Sequence, residues 1–182
     1  MKKIVLYGLA GSGKSTSASI VKEFYRLRDL RVEVVKLAQP LYELQQHFYQ
    51  IAGCKIDFYD QDQPLLENIA TQLRSISSTS LVDYFKYRMK EVEADVVIND
   101  DLRDPHVDYP ALKQEGFIFI RVRCPEEIRI ERLKMRGDKS VVINSKSTAQ
   151  LDLIKPDYIV DNCTIDIQDL QKKIYTILEE LQ

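Results

Sequence analysis

The sequence predicts a doubly wound α/β fold of three layers, in which helices cover both faces of a five-stranded parallel sheet. Two observations lead to this prediction. Five short apolar runs alternate along the chain with stretches of helical spacing. In addition, the 182 residues are 45% hydrophobic and 30% charged, which is ordinary for a single globular domain.

The first three elements are predicted at residues 2–7, 16–29 and 31–37. The first is a short apolar run, and Ile20, Phe24 and Leu27 recur on one side of the helix that follows it. A second apolar run begins directly after the turn that ends this helix. A strand, a helix and a strand at this distance indicate a right-handed βαβ unit, which makes the sheet parallel.

The turn between the first strand and the first helix has the spacing G-x-x-x-x-G-K-[ST] within residues 8–16. Its glycines allow backbone N–H groups to converge on a phosphate, and the positive end of the following helix attracts the anion. Lys14 would reach the β- and γ-phosphates, and the Ser15 hydroxyl would bind Mg²⁺. The flanking strand and helix favour a triphosphate site over an incidental glycine-rich turn. The predicted phosphate-binding residues are Gly8, Gly11, Ser12, Gly13, Lys14, Ser15 and Thr16.

Three helices are predicted in succession between the second and third strands, at residues 41–51, 65–76 and 80–92. Pro40 suits the first turn of the first of them, and Ser80 lies near the cap of the third. We expect this helical insert to clamp a second substrate and to move during turnover. The predicted organisation is one domain, residues 1–182, with a core of residues 1–38 and 94–182 and an insert of residues 39–93.

The remaining elements complete the sheet and its helical layers. Residues 94–99 are almost entirely apolar, as expected of a central parallel strand, and Gly116 ends the helix that follows. In chain order, the other predicted elements are a helix at 105–115, a strand at 117–123, a helix at 125–136, a polar loop at 137–156, a strand at 157–160 and a helix at 165–181.

Two carboxylates, Asp100 and Asp101, directly follow the third strand, at the sheet edge where the glycine-rich turn also emerges. A carboxylate there can hold Mg²⁺ through water or accept a hydrogen bond from a nucleophile. The alternative is an acidic pair that only initiates a turn, and the sequence does not say which of the two would act. Arg103 could bind an acceptor phosphate with its planar guanidinium, or pair with Asp104 in solvent.

Further arginines follow the fourth strand and lie in the insert. Arg129, Arg132 and Arg136 have the spacing i, i+3 and i+7, so they share one helix face and could close over a phosphoryl group. The alternative is a solvated face balanced by glutamates of the same helix, and Arg132 and Arg136 are the stronger candidates because they lie nearer the following loop. In the insert, Arg74 could bind the acceptor phosphate. The aromatic residues that could wall an acceptor base, or belong to the core, are Tyr42, His47, Phe48, Phe58 and Tyr59.

The overall composition excludes several other classes of partner. A net charge of −2 gives no general attraction to nucleic acids or anionic membranes. No apolar run is long enough to cross a membrane and no secretory signal is visible, which predicts a cytoplasmic protein. The 3 cysteines are odd in number and far apart, as expected of reduced thiols, and neither of the 2 histidines has partners at metal-ligand spacing.

Three stretches besides the glycine-rich turn are similar to sequences of P-loop nucleoside monophosphate kinases. They are residues 37–43 (LAQPLYE), 99–103 (NDDLR) and 156–162 (PDYIVDN). Over nearly its full length the chain resembles this superfamily, most of all the phage and bacterial deoxynucleoside monophosphate kinases, with a likeness to dephospho-coenzyme A kinases. The resemblance implies ATP with Mg²⁺ as donor, and a nucleotide or a similar phosphorylated small molecule as acceptor.

The resemblance also implies roles for individual residues. The Asp-x-Arg element of these kinases falls on Asp101 and Arg103, and the turn at Asn162 is expected near the adenine of ATP. Gln39 stands where the family usually has an acid. Together with the motif, this gives as catalytic candidates Lys14, Asp101, Arg103, Arg132 and Arg136; as metal ligands Ser15 and Asp101; as acceptor-binding residues Gln39, Tyr42, Arg74 and Arg103; and as further ATP-binding residues Arg132 and Asn162.

Three functions are compatible with this sequence. The first is a kinase that transfers the γ-phosphoryl group of ATP to a (deoxy)nucleoside monophosphate. The second is a kinase whose small-molecule acceptor is not a nucleotide, such as dephospho-coenzyme A, and the third is a regulatory ATPase that acts through partners. A GTPase is disfavoured, because residues 123–126 (RCPE) stand where a guanine-reading Asn/Thr-Lys-x-Asp element would be expected. The oligomeric state is left open, a homodimer included.

Overall fold

The fold is taken from a computed structural model that describes residues 1–102, 104–136, 150–164 and 166–181, and of Arg136 only its place in a helix. Five strands form one parallel sheet in the order β2-β3-β1-β4-β5. They are β1 (Lys2–Tyr7), β2 (Val32–Val34), β3 (Val96–Asn99), β4 (Ile118–Arg123) and β5 (Tyr158–Asp161). The first strand in the chain therefore lies at the centre of the sheet, and the predicted fold class is confirmed.

Seven helices and one short 3₁₀ turn, Leu151–Leu153, are found in the described part of the chain. The helices are α1 (Lys14–Arg26), α2 (Gln39–Ile51), α3 (Gln63–Ile76), α4 (Ser80–Met89), α5 (Asp108–Gln114), α6 (Glu126–Arg136) and α7 (Ile167–Glu180). Most of their ends lie within three residues of the predicted ones, because apolar spacing and turn residues specify helices locally.

Apolar side chains bury both faces of the sheet. On one face Phe24 of α1 and Ile174 of α7 belong to a single buried cluster, and on the other Phe85 of α4 packs in a cluster with Leu112 of α5. The insert helices share a smaller cluster of their own, formed by Leu41, Tyr42, Leu66, Ile69 and Leu81. The clusters on the two faces of the sheet give the three-layer arrangement. The third cluster packs the insert helices against one another.

The strand β2 is shorter than the predicted run of residues 31–37. The side chains of Asn99 and Asp101, at and after the end of β3, bind the backbone groups that follow Val34. The side-chain Nδ2 of Asn99 donates to the Val35 carbonyl oxygen at 3.0 Å. The Asp101 carboxylate accepts hydrogen bonds from the N–H groups of Leu37 and Ala38, each at 2.9 Å. These contacts satisfy the backbone without a further strand partner.

The helix α5 also begins later than predicted, at Asp108 instead of residue 105. The Asp104 carboxylate accepts hydrogen bonds from the N–H groups of His106 at 2.8 Å and Val107 at 3.0 Å. A side chain that binds the backbone two and three residues further on makes a turn that competes with a helix. The predicted start at residue 105 is three residues too early for this reason, and the rest of the predicted helix is present.

Candidate functional site

The glycine-rich turn follows β1, and its Gly13 caps α1. Gly13 has a φ of 99°, and a Cβ there would collide with the side chain of Asn162. Gly8 has a φ of 154°, and a Cβ there would collide with the carbonyl oxygen of Val122. Both positions therefore need glycine. The resulting turn presents backbone N–H groups at the positive end of α1, which fits the phosphates of a nucleotide.

The polar side chains of the turn take different directions. The Lys14 ammonium donates to the Leu9 carbonyl oxygen at 3.0 Å, which brings its side chain back over the turn. Ser15 and Thr16 are exposed in the first turn of α1. Ser12 is only 1% exposed, and its buried hydroxyl has no hydrogen-bond partner in the described chain. Ser12 can therefore face a phosphate with its backbone but not with its side chain.

Two buried side chains hold the turn from α6 and from the end of β5. Asn162 donates from Nδ2 to the Ser12 carbonyl oxygen at 2.8 Å, and Arg129 donates to the Ala10 carbonyl oxygen at 3.1 Å. Each of the two residues is 4% exposed. Arg129 was the weakest of the three arginine candidates in the sequence, and the structure gives it a direct contact with the turn.

Arg132 lies beside the same turn but binds the neighbouring loop. Its guanidinium donates to Asn162 Oδ1 at 3.3 Å and to the Thr164 carbonyl oxygen at 2.7 Å. The structure therefore brings Arg132, Asn162 and Gly13 together, whereas contact of Arg132 with ATP stays a prediction. The side chain of Arg136 and the whole of Arg103 lie outside the described residues.

We expect Asn162→Ala to weaken ATP binding about tenfold. The substitution removes the hydrogen bond to the Ser12 carbonyl oxygen and leaves that buried acceptor unpaired, which distorts the turn. Isothermal titration with ATP measures the affinity. The control is Asn68→Ala, an exposed asparagine on α3. Equal ATP affinity in wild type and Asn162→Ala would contradict a role of Asn162 in shaping the turn.

The end of β3 lies next to this turn, because β1 and β3 are paired with Val5 opposite Asn99. Asp101, the carboxylate that the resemblance favoured, has both oxygens occupied by the N–H groups of Leu37 and Ala38. The side chain of Asn99 donates to it as well, at 2.7 Å. Burial raises the pKa of Asp101 above its ordinary value, against the opposing effect of the nearby Lys36 ammonium. Asp101 therefore fastens the segment that leads into α2.

Asp100 has a different environment. Its side chain is 5% exposed, and Oδ1 lies 2.5 Å from the ammonium of Lys36, whose side chain is 22% exposed. Burial disfavours the charge on Lys36, but the carboxylates of Asp100 and Asp101 outweigh it, so the pKa of Lys36 lies above its ordinary value. In the described chain, no backbone N–H group donates a hydrogen bond to the Asp100 carboxylate, whereas two donate to Asp101.

A Mg²⁺ ion here would take few ligands from the protein. In the described ranges, no group of three or more His, Cys, Asp or Glu side chains could hold a metal ion. Mg²⁺ is commonly bound through one or two protein oxygens together with substrate phosphates and water. The exposed Ser15 hydroxyl and a carboxylate at the end of β3 fit that requirement.

On the insert side, Arg74 is engaged by two carboxylates. Its guanidinium donates to Asp104 Oδ2 and to Asp108 Oδ2, each at 2.9 Å. An acceptor phosphate would have to displace these carboxylates to bind Arg74. The pair instead connects α3 to the segment after β3, and this contact joins the insert to the core.

Gln39 and Tyr42 both lie at the start of α2. Gln39 donates to Glu43 Oε1 at 3.1 Å within the helix. Tyr42 is 7% exposed and accepts a hydrogen bond from Gln61 at 3.2 Å, and its ring packs against Tyr59 with centroids 5.4 Å apart. Tyr42 is therefore largely part of the insert core, which leaves Tyr59 as the more exposed ring of the pair.

Burial of Asp108, the partner of Arg74, makes the stability of the fold depend on pH. Burial raises the pKa of Asp108 from its ordinary value of 3.8 to about 6, although Arg74 opposes this shift. A folded state with the higher pKa holds its proton more tightly, so stability is greatest below the ordinary pKa and falls as the pH rises through about 6. We expect this loss to be on the order of 1–3 kcal/mol.

Urea unfolding of wild type and Asp108→Asn between pH 4 and pH 7 measures this dependence. The difference in unfolding free energy between the two proteins should change over that range in favour of the variant at the higher pH. The exposed Asp57→Asn is the control and should follow the wild type. A difference that is constant with pH would contradict a raised pKa at Asp108.

Lys36 is the site residue that the sequence reasoning missed. Its position two residues after β2, at the same edge of the sheet as Asp100, is a signal that could have found it. A lysine near the end of an apolar run is also common on protein surfaces, so the run alone does not indicate that the side chain turns inward.

A family model described as AAA domain matches residues 4–151 of the chain. The chain belongs to this AAA domain family. The match includes the glycine-rich turn, the insert and the segment after β3. Comparison with curated proteins finds no significant match for this AAA-domain chain. No helix within the described ranges is long and apolar enough to cross a membrane.

Solved structures show the same fold as this AAA-domain chain. TT1252 from Thermus thermophilus is 16% identical, with 100% of both chains covered and a TM-score of 0.58. Shikimate kinase from Acinetobacter baumannii, in complex with shikimate, is 15% identical, with 100% and 95% covered and a TM-score of 0.57. Shikimate kinase from Bacteroides thetaiotaomicron is 15% identical, with 99% and 98% covered and a TM-score of 0.58. At this level of identity the likeness shows a P-loop kinase fold.

Proposed function

We propose that the protein is an ATP-dependent phosphotransferase. One observation carries the proposal: the glycine-rich turn and the buried Asp100–Lys36 pair lie at the same carboxyl edge of the sheet, next to a helical insert. In parallel α/β sheets, ligands bind outside this edge. The arrangement gives a triphosphate cradle on one side and a place for a second substrate on the other.

The residues of the chain would divide the work as follows. The backbone of the turn and Lys14 hold the phosphates and attract the charge that develops on them during transfer. Mg²⁺, when bound at Ser15 and Asp100, would neutralise charge on the phosphate oxygens. An acceptor oxygen bonds to the γ-phosphorus while the bond from that phosphorus to the bridging β–γ oxygen breaks, and ADP leaves with the electron pair. A phosphate acceptor supplies an oxygen that is already ionised, and a hydroxyl acceptor would pass its proton to Asp100. Positioning of the two substrates supplies most of the rate.

For the acceptor, we propose a (deoxy)nucleoside monophosphate as the first candidate. The similarity of residues 37–43, 99–103 and 156–162 to nucleoside monophosphate kinases supports it. Arg103 remains the proposed ligand of the acceptor phosphate. Asp101 was proposed as the catalytic carboxylate, and its hydrogen bonds with the β2–α2 segment favour Asp100 for that role.

A second candidate is a small acceptor that is not a nucleotide. The observation that favours it is the occupation of Arg74 by Asp104 and Asp108, which removes one predicted phosphate ligand from the acceptor side. Two solved structures with the same fold are named shikimate kinases, and shikimate is an acceptor of this kind. Dephospho-coenzyme A is a further acceptor to be tested beside shikimate.

Phosphoryl transfer from ATP to a panel of acceptors tests the proposal. The panel contains the ribo- and deoxyribonucleoside monophosphates, dephospho-coenzyme A and shikimate, and ADP formation is compared with the reaction without acceptor. We expect one acceptor class to accelerate ADP formation by at least about a hundredfold, because a kinase site excludes water as nucleophile. ATP hydrolysis that no acceptor changes would contradict the proposal and favour a regulatory ATPase.

A further inference from the structure

The lysine after β2 occupies a particular place in the sheet. In the order β2-β3-β1, the strand that directly precedes Asp100 lies between the strand before Lys36 and the strand before the glycine-rich turn. The Lys36 ammonium reaches across to Asp100 at 2.5 Å. The pair therefore lies on the insert side of the phosphate cradle, where a second substrate would bind.

Stability does not account for this pair. Replacing a buried ion pair with well-packed apolar residues is often neutral or stabilising, because both charges lose their hydration. Asp100 is 5% and Lys36 22% exposed, so both have lost most of their contact with water. A buried charge pair at the ligand-binding edge of a sheet is better explained by contact with a substrate.

The ammonium of Lys36 also has donors to spare. A lysine ammonium has three N–H donors, and in the described chain Lys36 gives one hydrogen bond, to Asp100. Its other close neighbour is the ring of Tyr59, whose centroid lies 5.8 Å from the ammonium nitrogen. The remaining donors are available to oxygen atoms of a ligand.

Tyr59 adds a flat apolar surface beside this ammonium. The residue is 56% exposed. Tyr42 and Phe58 hold it by edge contacts, with centroid distances of 5.4 and 4.9 Å and interplanar angles of 80° and 85°. The ring is therefore held in place by its neighbours, and its exposed part is accessible to the ring of a ligand.

We propose that Lys36 and Tyr59 form an acceptor subsite that takes a ring carrying oxygen substituents. Lys36, held by Asp100, donates hydrogen bonds to a ring oxygen substituent of the acceptor, and Tyr59 packs against the ring itself. The inference rests on the proposed phosphotransferase function and names the acceptor class as a molecule with a hydroxylated ring, which is the ribose or deoxyribose of a nucleotide or the ring of a cyclic alcohol such as shikimate. It makes both residues determinants of acceptor binding and not of ATP binding.

Steady-state kinetics with the acceptor found in the panel tests the subsite. Lys36→Met should raise the acceptor KM about 10- to 100-fold, since hydrogen bonds from a charged group are lost, and leave the ATP affinity within about twofold. Lys36→Arg keeps the charge and the N–H donors and should recover part of this loss, since the larger planar guanidinium fits the same place less well. The control is Lys86→Met, a 33% exposed lysine on α4 that pairs with Glu115 at 3.4 Å.

Substitutions of Tyr59 provide a second and independent test of the subsite. Tyr59→Leu should raise the acceptor KM about tenfold, and Tyr59→Phe should keep it within about twofold, because the ring and not its hydroxyl makes the contact. The matched control is Tyr87→Leu on α4, since Tyr87 is 58% exposed. Melting temperatures and circular dichroism show whether each variant is folded. Should Lys36→Met not fold, the comparison of Tyr59→Leu with Tyr59→Phe decides whether the subsite exists.

The outcomes separate this inference from the function on which it rests. Wild-type transfer to an acceptor, with an unchanged acceptor KM in folded Lys36→Met and Tyr59→Leu, overturns the subsite and leaves the kinase function standing. The subsite is also overturned when both variants lose ATP affinity as much as acceptor affinity. Wild-type protein that binds ATP but transfers phosphate to no member of the panel overturns the proposed function, and the subsite with it.

Discussion

Replacing Lys14 with alanine should reduce phosphoryl transfer by roughly a thousandfold or more, while the protein keeps its fold. The ammonium of Lys14 is the one positive side chain of the glycine-rich turn, and a positive charge placed where negative charge develops contributes strongly to catalysis. In the present structure the ammonium donates a hydrogen bond to the Leu9 carbonyl oxygen, within the turn. Alanine removes the positive charge from the turn, so we expect the main effect on phosphoryl transfer.

The measurement is kcat with the best acceptor, together with ATP affinity and the melting temperature. Lys22→Ala, a substitution two turns further along α1, is the matched control and should transfer phosphate like wild type. Transfer by Lys14→Ala within tenfold of wild type would exclude the turn from the mechanism. A large fall in melting temperature would instead assign Lys14 a structural role.

The second large effect is expected at the end of β3, where the two carboxylates should respond differently to the same substitution. Asp100→Asn should lower kcat by roughly a hundredfold or more, because the amide cannot replace a carboxylate that binds a metal or accepts a proton. The amide oxygen can still accept a hydrogen bond from Lys36. We therefore expect a modest loss of stability, on the order of 1 kcal/mol.

Asp101→Asn should show the opposite pattern. The carboxylate accepts two backbone hydrogen bonds, from Leu37 and Ala38, and an asparagine of the same shape can accept only one and places an N–H₂ group against the other donor. We expect a loss of roughly 2–3 kcal/mol in unfolding free energy and a smaller effect on kcat. Because these bonds fix the segment before α2, the acceptor KM should rise.

Urea unfolding and steady-state kinetics on the two variants separate the roles. A hundredfold loss of kcat in Asp101→Asn, with its stability intact, would return the catalytic role to Asp101. Similar losses of kcat and of stability in both variants would indicate that the two carboxylates act as one unit. The double variant then measures their coupling, since the effects of independent residues add.

Much of the fold could be predicted from local features of the chain. The run at residues 2–7, the glycine-rich turn and the spacing of Ile20, Phe24 and Leu27 are each contained in a few consecutive residues. The five strands and their parallel arrangement followed from the alternation of such segments, because short right-handed connections leave few topologies. The deviations occur where a side chain binds the backbone, at Asp104 before α5 and at Asp101 beside the end of β2.

The candidate site could be predicted only in part, for a related reason. Which residues follow the strand ends is visible in the chain, so the sequence placed Lys14, Asp100 and Asp101 at one edge of the sheet. Their partners are not local. Asp101 binds Leu37 across 64 positions of sequence, and Arg74 binds Asp104 across 30. No periodic pattern records a pairing of that kind.

The sequence by itself thus determined that this chain forms a parallel α/β sheet with a glycine-rich turn after its first strand, since periodicity and glycine spacing act over short distances. Only the tertiary structure distinguished Asp100 from Asp101, engaged Arg74 with two carboxylates and brought Lys36 beside Asp100 and Tyr59. The role of a charged side chain depends on which partners surround it after folding. That depends on the packing of strands and helices distant in the chain, and burial then sets how strongly each pair interacts.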